Sequence, residues 1–588
     1  MANRIPKQAA LWFFFSLFIF LLGNNNHGVW DRDEPRYCQA TREMLATGDY
    51  IVPRFNGGLR YDKPVLTYWL MAPSMMVFGV NEFAARFPAA VAGATRTTVV
   101  FLLALALGAS LRGAWIAAAG SVTMTLLLVP SKAATTDSVL ILTVAVCQAM
   151  LWLRIRNGFQ WWTHLTFWAT LGLSALVKGP IGPAFVFLTW ATWHLWKKLR
   201  PDVRDAFDGS YFADPMAGHR EPWLMRLAAG LGVFLLVALP WAIAVSIQTN
   251  GDFLRVSFGR HVVGRITTEP TNNHVGPIFY YLVTMLPSLF PLTAIALPAM
   301  DWSRRLLATA QVRFLWCWFI PSFIVVSLSS TKLPHYPAPL YVAFCLLMGL
   351  YWTACEQGLT AANWRVERWL RLIGGVFVAL AGPGLIAVAT VGMDRAALDI
   401  PRLPFVLVGV FFTIGGVLGL VAWTRRADLL AAKAWGLSWL AAILVAFLWA
   451  LPMLDAMRPS KTLGNVLHSA LPGDTRVIAV EYQEPSLVFY WGKGVIMSSK
   501  STNRSEEPPP GATNREGAFR MLNETTRPTA LVTTANRWQK FRCEFIAEDG
   551  GTISTAVRVI HEARYFQFEK GRFVDMVIVA NVPPKEAP

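Results

Sequence analysis

Long apolar runs recur along this chain, and each must be shielded from water by lipid or by protein. About thirteen of them approach the roughly 20 residues that an α-helix needs to cross a bilayer. They fall at about 9–23, 87–108, 114–130, 138–153, 161–177, 181–196, 224–246, 277–298, 312–329, 338–354, 371–391, 404–423 and 435–452. A polytopic α-helical membrane protein is therefore the expected fold class. With 54% hydrophobic residues, 25 Trp and only 15% charged residues in 588, the composition agrees.

The formal net charge of +17 raises nucleic-acid binding as a possibility, but the Lys and Arg are not gathered into one basic domain. They punctuate the apolar runs instead, so the bilayer is the expected partner and nucleic acid is not. Short loops carrying Arg4 and Lys7, Arg112, Arg154 and Arg156, Lys197 and Lys198, Arg304 and Arg305, and Arg425 and Arg426 alternate with less basic ones. By the positive-inside rule those loops and the N-terminus are cytoplasmic. The first run has a basic start but no small-x-small site after Leu22, so it is expected to remain as an anchor. Four of the six cysteines lie in apolar runs, a pattern unlike a disulfide framework.

The composition changes after about residue 455. TRVIAVEYQ, SLVFYWGKGVIM, TALVTTAN and VDMVIVAN read as short strands around a Pro- and Ser-rich stretch, which predicts a soluble α/β domain over 456–588. An odd number of spans places it outside the cytoplasm, opposite the N-terminus. Residues 1–455, with a long first outer loop over 24–86, form the membrane domain.

This threading uses only hydropathy and basic residues, yet it brings the polar clusters to one face. WDRDEPRYCQATREM, the TTD at 135–137, the KGP at 178–180, FGRHVVGRITTEPTNNHVGP and SSTKLPHYP all fall on the outer side. Asp33 and Asp137 each precede a helical run, where a carboxylate serves either as a cap or as a group that orients or deprotonates an acceptor. Lys178 ends an apolar run before Gly179, a place where a cation also complements a helix dipole. Arg36, Lys63, Arg265 and Lys332 can serve as head-group anchors or bind a phosphate at the interface. His261, His274 and Asp62 are the candidates for a divalent ion, although their spacing matches no metal motif.

The stretch DEPRYCQATREMLATGDYIVPRFNGGLRYDKPVLTYW resembles the first periplasmic loop of bacterial aminoarabinose transferases, which with protein O-mannosyltransferases belong to the membrane GT-C glycosyltransferases. The resemblance continues through NEFAARFPAA, TTDSVL, LVKGPIGP, LPWAIAV, RHVVGR and SSTKLPHY, covering about residues 10–350. It implies a bacterial inner-membrane enzyme that moves a sugar from an undecaprenyl-phosphate donor, with inversion, to a glycolipid such as lipid A. It also implies Asp33 and Asp137 as catalytic residues, and Glu34, Arg36, Tyr61, Lys63, His261, Arg265, Lys332 and Tyr336 as substrate-binding residues. No cofactor is certain.

Two departures qualify the match. The family's Glu-Lys-Pro is Asp62-Lys63-Pro64, and Arg265 follows His261 by four residues, as in mannosyltransferase-like members. The donor sugar therefore need not be aminoarabinose, and transfer of a hexose to protein Ser or Thr is a second enzymatic reading. A transporter or lipid flippase is a reading of another class, which predicts ionisable groups at mid-membrane and repeat symmetry. Arg96, inside a predicted span, has no counterpart in the family pattern.

Overall fold

The computed structural model describes residues 4–201, 203–207, 223–258, 276–359, 364–395, 400–482, 484–498, 515–524, 527–548, 556–567 and 572–581. Helices occupy every one of the thirteen apolar runs. Among the described residues eight are long and apolar enough to cross a membrane, or nine when one bent pair is taken as a single span.

The helices that frame the functional end are α1 (Ile5–Leu21), α2 (Asp33–Thr47), α3 (Leu66–Phe78), α4 (Glu82–Ala106), α5 (Leu111–Thr123), α6 (Thr125–Ser131), α7 (Asp137–Asn157), α8 (Trp161–Lys178) and α9 (Ile181–Leu199). Lipid tails are as apolar as leucine, so helices in a bilayer associate by close packing of small residues. The alanine-rich α4 illustrates this: it packs against α1, α3, α5, α6 and α7 and buries Ala84, Ala85, Ala89, Ala90, Ala92, Gly93 and Ala94. A Cβ on Gly93 would lie 2.6 Å from the Ser131 hydroxyl, so only glycine allows α6 this near.

Helices α5 and α6 are bent by 60° at Met124, which frees backbone carbonyls inside the bundle. Arg96 answers them. Its guanidinium, fully buried on α4, donates to the carbonyls of Ser121 (2.6 Å) and Leu127 (3.3 Å) and to the hydroxyls of Ser121 and Ser131. A cation at this depth thus serves the broken helix, in keeping with the need to satisfy every backbone group internally.

The first loop contains more structure than its polarity suggests: α2, a tight hairpin of β1 (Arg54–Phe55) and β2 (Gly58–Leu59), and the apolar helix α3. Asn56 and Gly57 turn the hairpin with φ of 55° and 80°, the left-handed pair that a two-residue hairpin turn favours.

The carboxy-terminal part forms a five-stranded sheet in the order β4-β3-β5-β7-β6. The strands are β3 (Arg476–Val480), β4 (Val495–Ser498), β5 (Thr529–Thr534), β6 (Arg558–Gln567) and β7 (Arg572–Ala580). β3 is parallel to β4 and β5, and β7 is antiparallel to β5 and β6. The alternation of β3 separates two cores: Val477 and Ala479 face Leu463, Leu467 and Leu487, whereas Ile478 and Val480 face Phe519, Leu522 and Trp538. Of the runs read as strands, SLVFYW is instead the helix Pro485–Trp491. Proline at its start and left-handed Gly492 at its end favour one short helix, and such an apolar run has no periodicity to reveal the choice. β6 carries Arg, His and Glu among its apolar residues and escaped the hydropathy reading.

Direct bonds join this sheet domain to the first loop. The Tyr490 hydroxyl donates to Glu82 (3.0 Å) and accepts from the Val29 amide (2.9 Å), and Arg42 donates to the Phe489 carbonyl (2.6 Å). Asn56 exchanges two hydrogen bonds with the Val495 backbone at 2.8 and 2.9 Å, while Asp455 accepts from the Gly28 amide at 2.7 Å. The loop and the sheet therefore share one end of the helix bundle, as the threading requires.

Candidate active site

At that shared end the terminus of one helix faces the start of another. Asp137 is the first residue of α7 and Lys178 the last of α8; Lys178 Nζ lies 2.6 Å from Asp137 Oδ1, with both side chains largely buried. The lysine thus spends its charge on a carboxylate rather than on its own helix terminus. His335, from the loop after the helix Ala310–Leu328, brings Nε2 to 3.8 Å from the other Asp137 oxygen. Tyr336 stacks edge-on against His335, and Lys178 sits over its ring at 5.6 Å. Burial pushes the His335 imidazole below its ordinary pKa; Asp137 opposes that shift and Lys178 adds to it. The ring is accordingly neutral at pH 7 and can accept a proton.

Asp33 is the first residue of α2 and is exposed. No side chain caps this helix through the preceding residue, Arg32. The charges of Asp33 and Lys63 both act on His335, and those of Asp33 and Asp137 both reach Tyr37, whose hydroxyl burial pushes well above its usual range. Asp33, Lys63, Asp137, Lys178, His335 and Tyr336 therefore share one site. Below it Arg60 lies buried, donating to the Tyr68 hydroxyl at 2.9 Å, pairing with Asp62 at 3.3 Å and sitting over the Tyr37 ring at 5.1 Å.

Glu34, next to Asp33, turns inward. One carboxylate oxygen accepts from Arg86 Nε (3.0 Å) and the Ala134 amide (2.6 Å); the other accepts from Arg86 Nη2 (2.8 Å) and the Trp30 amide (2.7 Å). Burial by itself would push this carboxyl up, but the Arg86 guanidinium more than reverses the effect and holds it below the usual range. Through Ala134 the same carboxylate ties the start of α2 to the turn that leads into α7, and so couples the two aspartates.

The structure separates the sequence-predicted residues into groups. Asp33, Asp137, Lys63 and Tyr336 meet, with Arg36 partly buried on the first turns of α2. Glu34 has four protein donors, and Lys332 donates to the carbonyls of Ser327 and Ser329 at the end of the preceding helix. Tyr61 packs against Phe253, and its carbonyl accepts from Ser257. His261, Arg265 and His274 lie outside the described residues. Asp62 is paired with Arg60, and among the described residues no three His, Cys, Asp or Glu side chains converge on a point. Sequence reasoning passed over His335, although it adjoins Tyr336, and read Lys178 as a helix-end cation; neither position bears a signal of its partner 41 or more residues away.

The description Dolichyl-phosphate-mannose-protein mannosyltransferase matches residues 10–250, which contain both aspartates. The undecaprenyl phosphate-α-4-amino-4-deoxy-L-arabinose arabinosyl transferase of Pseudomonas aeruginosa UCBPP-PA14 is 30% identical over 483 residues, covering 79% of this chain and 78% of that one. This chain belongs to the aminoarabinosyl transferase family. A second aminoarabinosyl transferase, from Yersinia enterocolitica, is 26% identical and covers 78% of this chain and 79% of its own. The fold agrees: the crystal structure of ArnT from Cupriavidus metallidurans bound to undecaprenyl phosphate superposes with a TM-score of 0.75 at 20% identity, covering 99% of both chains. As a family member the protein is a multi-pass membrane glycosyltransferase.

Proposed function

We propose that this aminoarabinosyl transferase relative moves 4-amino-4-deoxy-L-arabinose, or a close relative of that sugar, from undecaprenyl phosphate to lipid A or another glycolipid. The observation that carries this reading is the meeting of Asp33, Asp137, Lys178, Lys63 and His335 at helix ends beside a long interfacial loop. In the reaction the bond between the anomeric carbon and the donor phosphate oxygen breaks, a bond from that carbon to an acceptor oxygen forms, and undecaprenyl phosphate leaves.

Negative charge grows on the departing phosphate. Lys63, Arg36, Arg265 and Tyr336 supply the cations and the hydroxyl that stabilise it. Asp33, exposed at the start of α2, orients the acceptor and accepts its proton when that acceptor is a hydroxyl. Asp137 is the recessed partner, holding Lys178 and His335 in register. Glu34 and Lys332 act as scaffolding: the first holds the two aspartates together, and the second closes a helix end. Attack from the face opposite the phosphate inverts the anomeric carbon.

In this reading the protein lies in a bacterial inner membrane with its N-terminus cytoplasmic, and the first loop, the site and the domain from 456 onward face the periplasm. The distribution of Lys and Arg supports that orientation.

The test is to incubate the purified protein with a panel of undecaprenyl-phosphate sugars and a lipid A acceptor, and to measure released undecaprenyl phosphate. Asp33→Asn should lower turnover by about 100-fold or more, the usual contribution of a positioned base. Turnover with none of the sugars, or an Asp33→Asn variant as fast as the wild type, would refute the assignment.

A further inference from the structure

At the opposite end of the bundle from Asp137 lies a cavity of about 820 Å³, built by α7, α8, α9 and the start of α10 (Trp223–Gln248). Arg154, on its rim, lies 17 residues along α7 from Asp137, so about 25 Å of helix separates the two. The volume is within the roughly 300–1,000 Å³ of small-molecule sites. The cavity is no part of the site for sugar transfer.

Its walls are apolar and aromatic: Phe167, Trp168, Leu171, Val186, Trp190 and Trp193. One wall is fixed, because Gly230 of α10 packs so closely on Trp168 that a Cβ there would lie 2.1 Å from the indole nitrogen. Its polar end is cationic. Arg154, Lys197 and Arg226 all line it, and the described lining contributes no Asp or Glu. Arg154 contacts His164 Nδ1 at 3.2 Å, and Arg226 lies 3.9 Å over the Phe159 ring, so packing holds both guanidinium groups near the rim. The charge of Arg226 reaches Arg154.

An apolar pocket ending in several cations between membrane helices is complementary to an amphiphile with an anionic head. We propose that this cavity is a binding site for one anionic phospholipid of the leaflet opposite the reaction, one of its two acyl chains among the tryptophans and its phosphate at Arg154 and Arg226. The undecaprenyl carrier shares this head-group chemistry, but it reacts at the other end of the bundle, and the amphiphile present in bulk at this end is the bilayer's own lipid.

The experiment uses the full-length protein in detergent, with phosphatidylglycerol, phosphatidylcholine or undecaprenyl phosphate added, and counts retained lipid by native mass spectrometry beside the melting temperature. Phosphatidylglycerol should be retained at one tight site and raise the melting temperature, while phosphatidylcholine should do neither. Arg154→Gln and Arg226→Gln should each weaken retention about five-fold, the equivalent of about 1 kcal/mol per basic residue near a lipid head group. Leu171→Trp keeps every cation and fills the apolar wall; it should also lose the lipid, which covers the case in which the arginine variants do not fold. Equal retention of phosphatidylcholine, unchanged retention in the folded variants, or displacement of phosphatidylglycerol by an equal concentration of undecaprenyl phosphate would overturn the proposal.

Discussion

Lys178 and Asp137 meet at 2.6 Å although 41 residues separate them, and each is the terminal residue of its helix. Removing one member of such a pair strands a charge away from water, which costs about 3–5 kcal/mol, whereas removing both with apolar replacements is close to neutral. Lys178→Met should therefore lower the melting temperature sharply, and Lys178→Met combined with Asp137→Leu should recover most of the loss while remaining inactive. Thermal unfolding read beside turnover checks this; a double variant no more stable than the single would show that the pair is not a unit.

A similar strain applies to Glu34 and Arg86, 2.8 Å apart in a buried setting. Glu34→Gln leaves the Arg86 charge without its counter-ion and should cost about 3 kcal/mol or more. It also loosens the link to Ala134, and a displacement of Asp33 by about 1 Å is enough to reduce turnover on the order of 100-fold. An enzyme assay on the folded variant is the measurement. Full activity would mean that Asp33 is positioned without Glu34.

Acid should destabilise the fold through a buried histidine whose carbonyl accepts from Arg86, the partner of Glu34. His27, 2% exposed, donates from Nδ1 to the Gly28 carbonyl; burial, with Arg86 adding, lowers its pKa to about 3. The unfolded chain binds this proton near pH 6.5 and the folded chain does not, so stability is full above pH 6.5 and falls as the pH drops from there towards 3. The slope approaches 1.4 kcal/mol per unit. His27→Asn should flatten a melting-temperature series over that window, and an unaltered series would exclude His27 as its source.

His335, also lowered by burial, is close to the proposed reaction. The wild-type rate should decline on acidification below the ordinary histidine range as the ring gains a proton. In His335→Gln that acidic limb should disappear while KM for the donor stays within about three-fold, a change of about 0.7 kcal/mol. A pH–rate profile identical to the wild type would remove His335 from the mechanism.

Asn56 clasps Val495 across the boundary between loop and sheet. Asn56→Gly retains the positive φ of 55° and deletes only the amide, leaving a buried backbone pair unmatched at a cost of about 2 kcal/mol. Hydrogen exchange should then accelerate in β4 and in the hairpin together, with the membrane helices unaffected. Exchange confined to one of the two would show that they are not clasped.

The legible part of this molecule was the part written in hydropathy. Each apolar run became helical, two of them as broken pairs, because apolar residues in lipid satisfy their backbone within the segment, and the loop charges then set which ends lie together. The resemblance supplied Asp33, Asp137, Lys63 and Tyr336, all of which meet in the site. What the sequence concealed was partner choice. Glu34 and Asp33 are adjacent acidic residues at a helix start, but successive helix positions point about 100° apart, so one faces water and the other Arg86. Arg96 looked anomalous because its partners are carbonyls, released by a bend between α5 and α6 that no residue type announces.

The clasp between the first loop and the sheet also bears on how the protein is made. Gly28, Val29 and Glu82 wait for Asp455 and Tyr490, partners 408 to 461 residues further along, so most of the chain must be synthesised before the catalytic loop meets its last supports. For most of translation the reactive end stands in the membrane as an unfinished enzyme, and the ribosome has released nearly the whole chain before that end is complete.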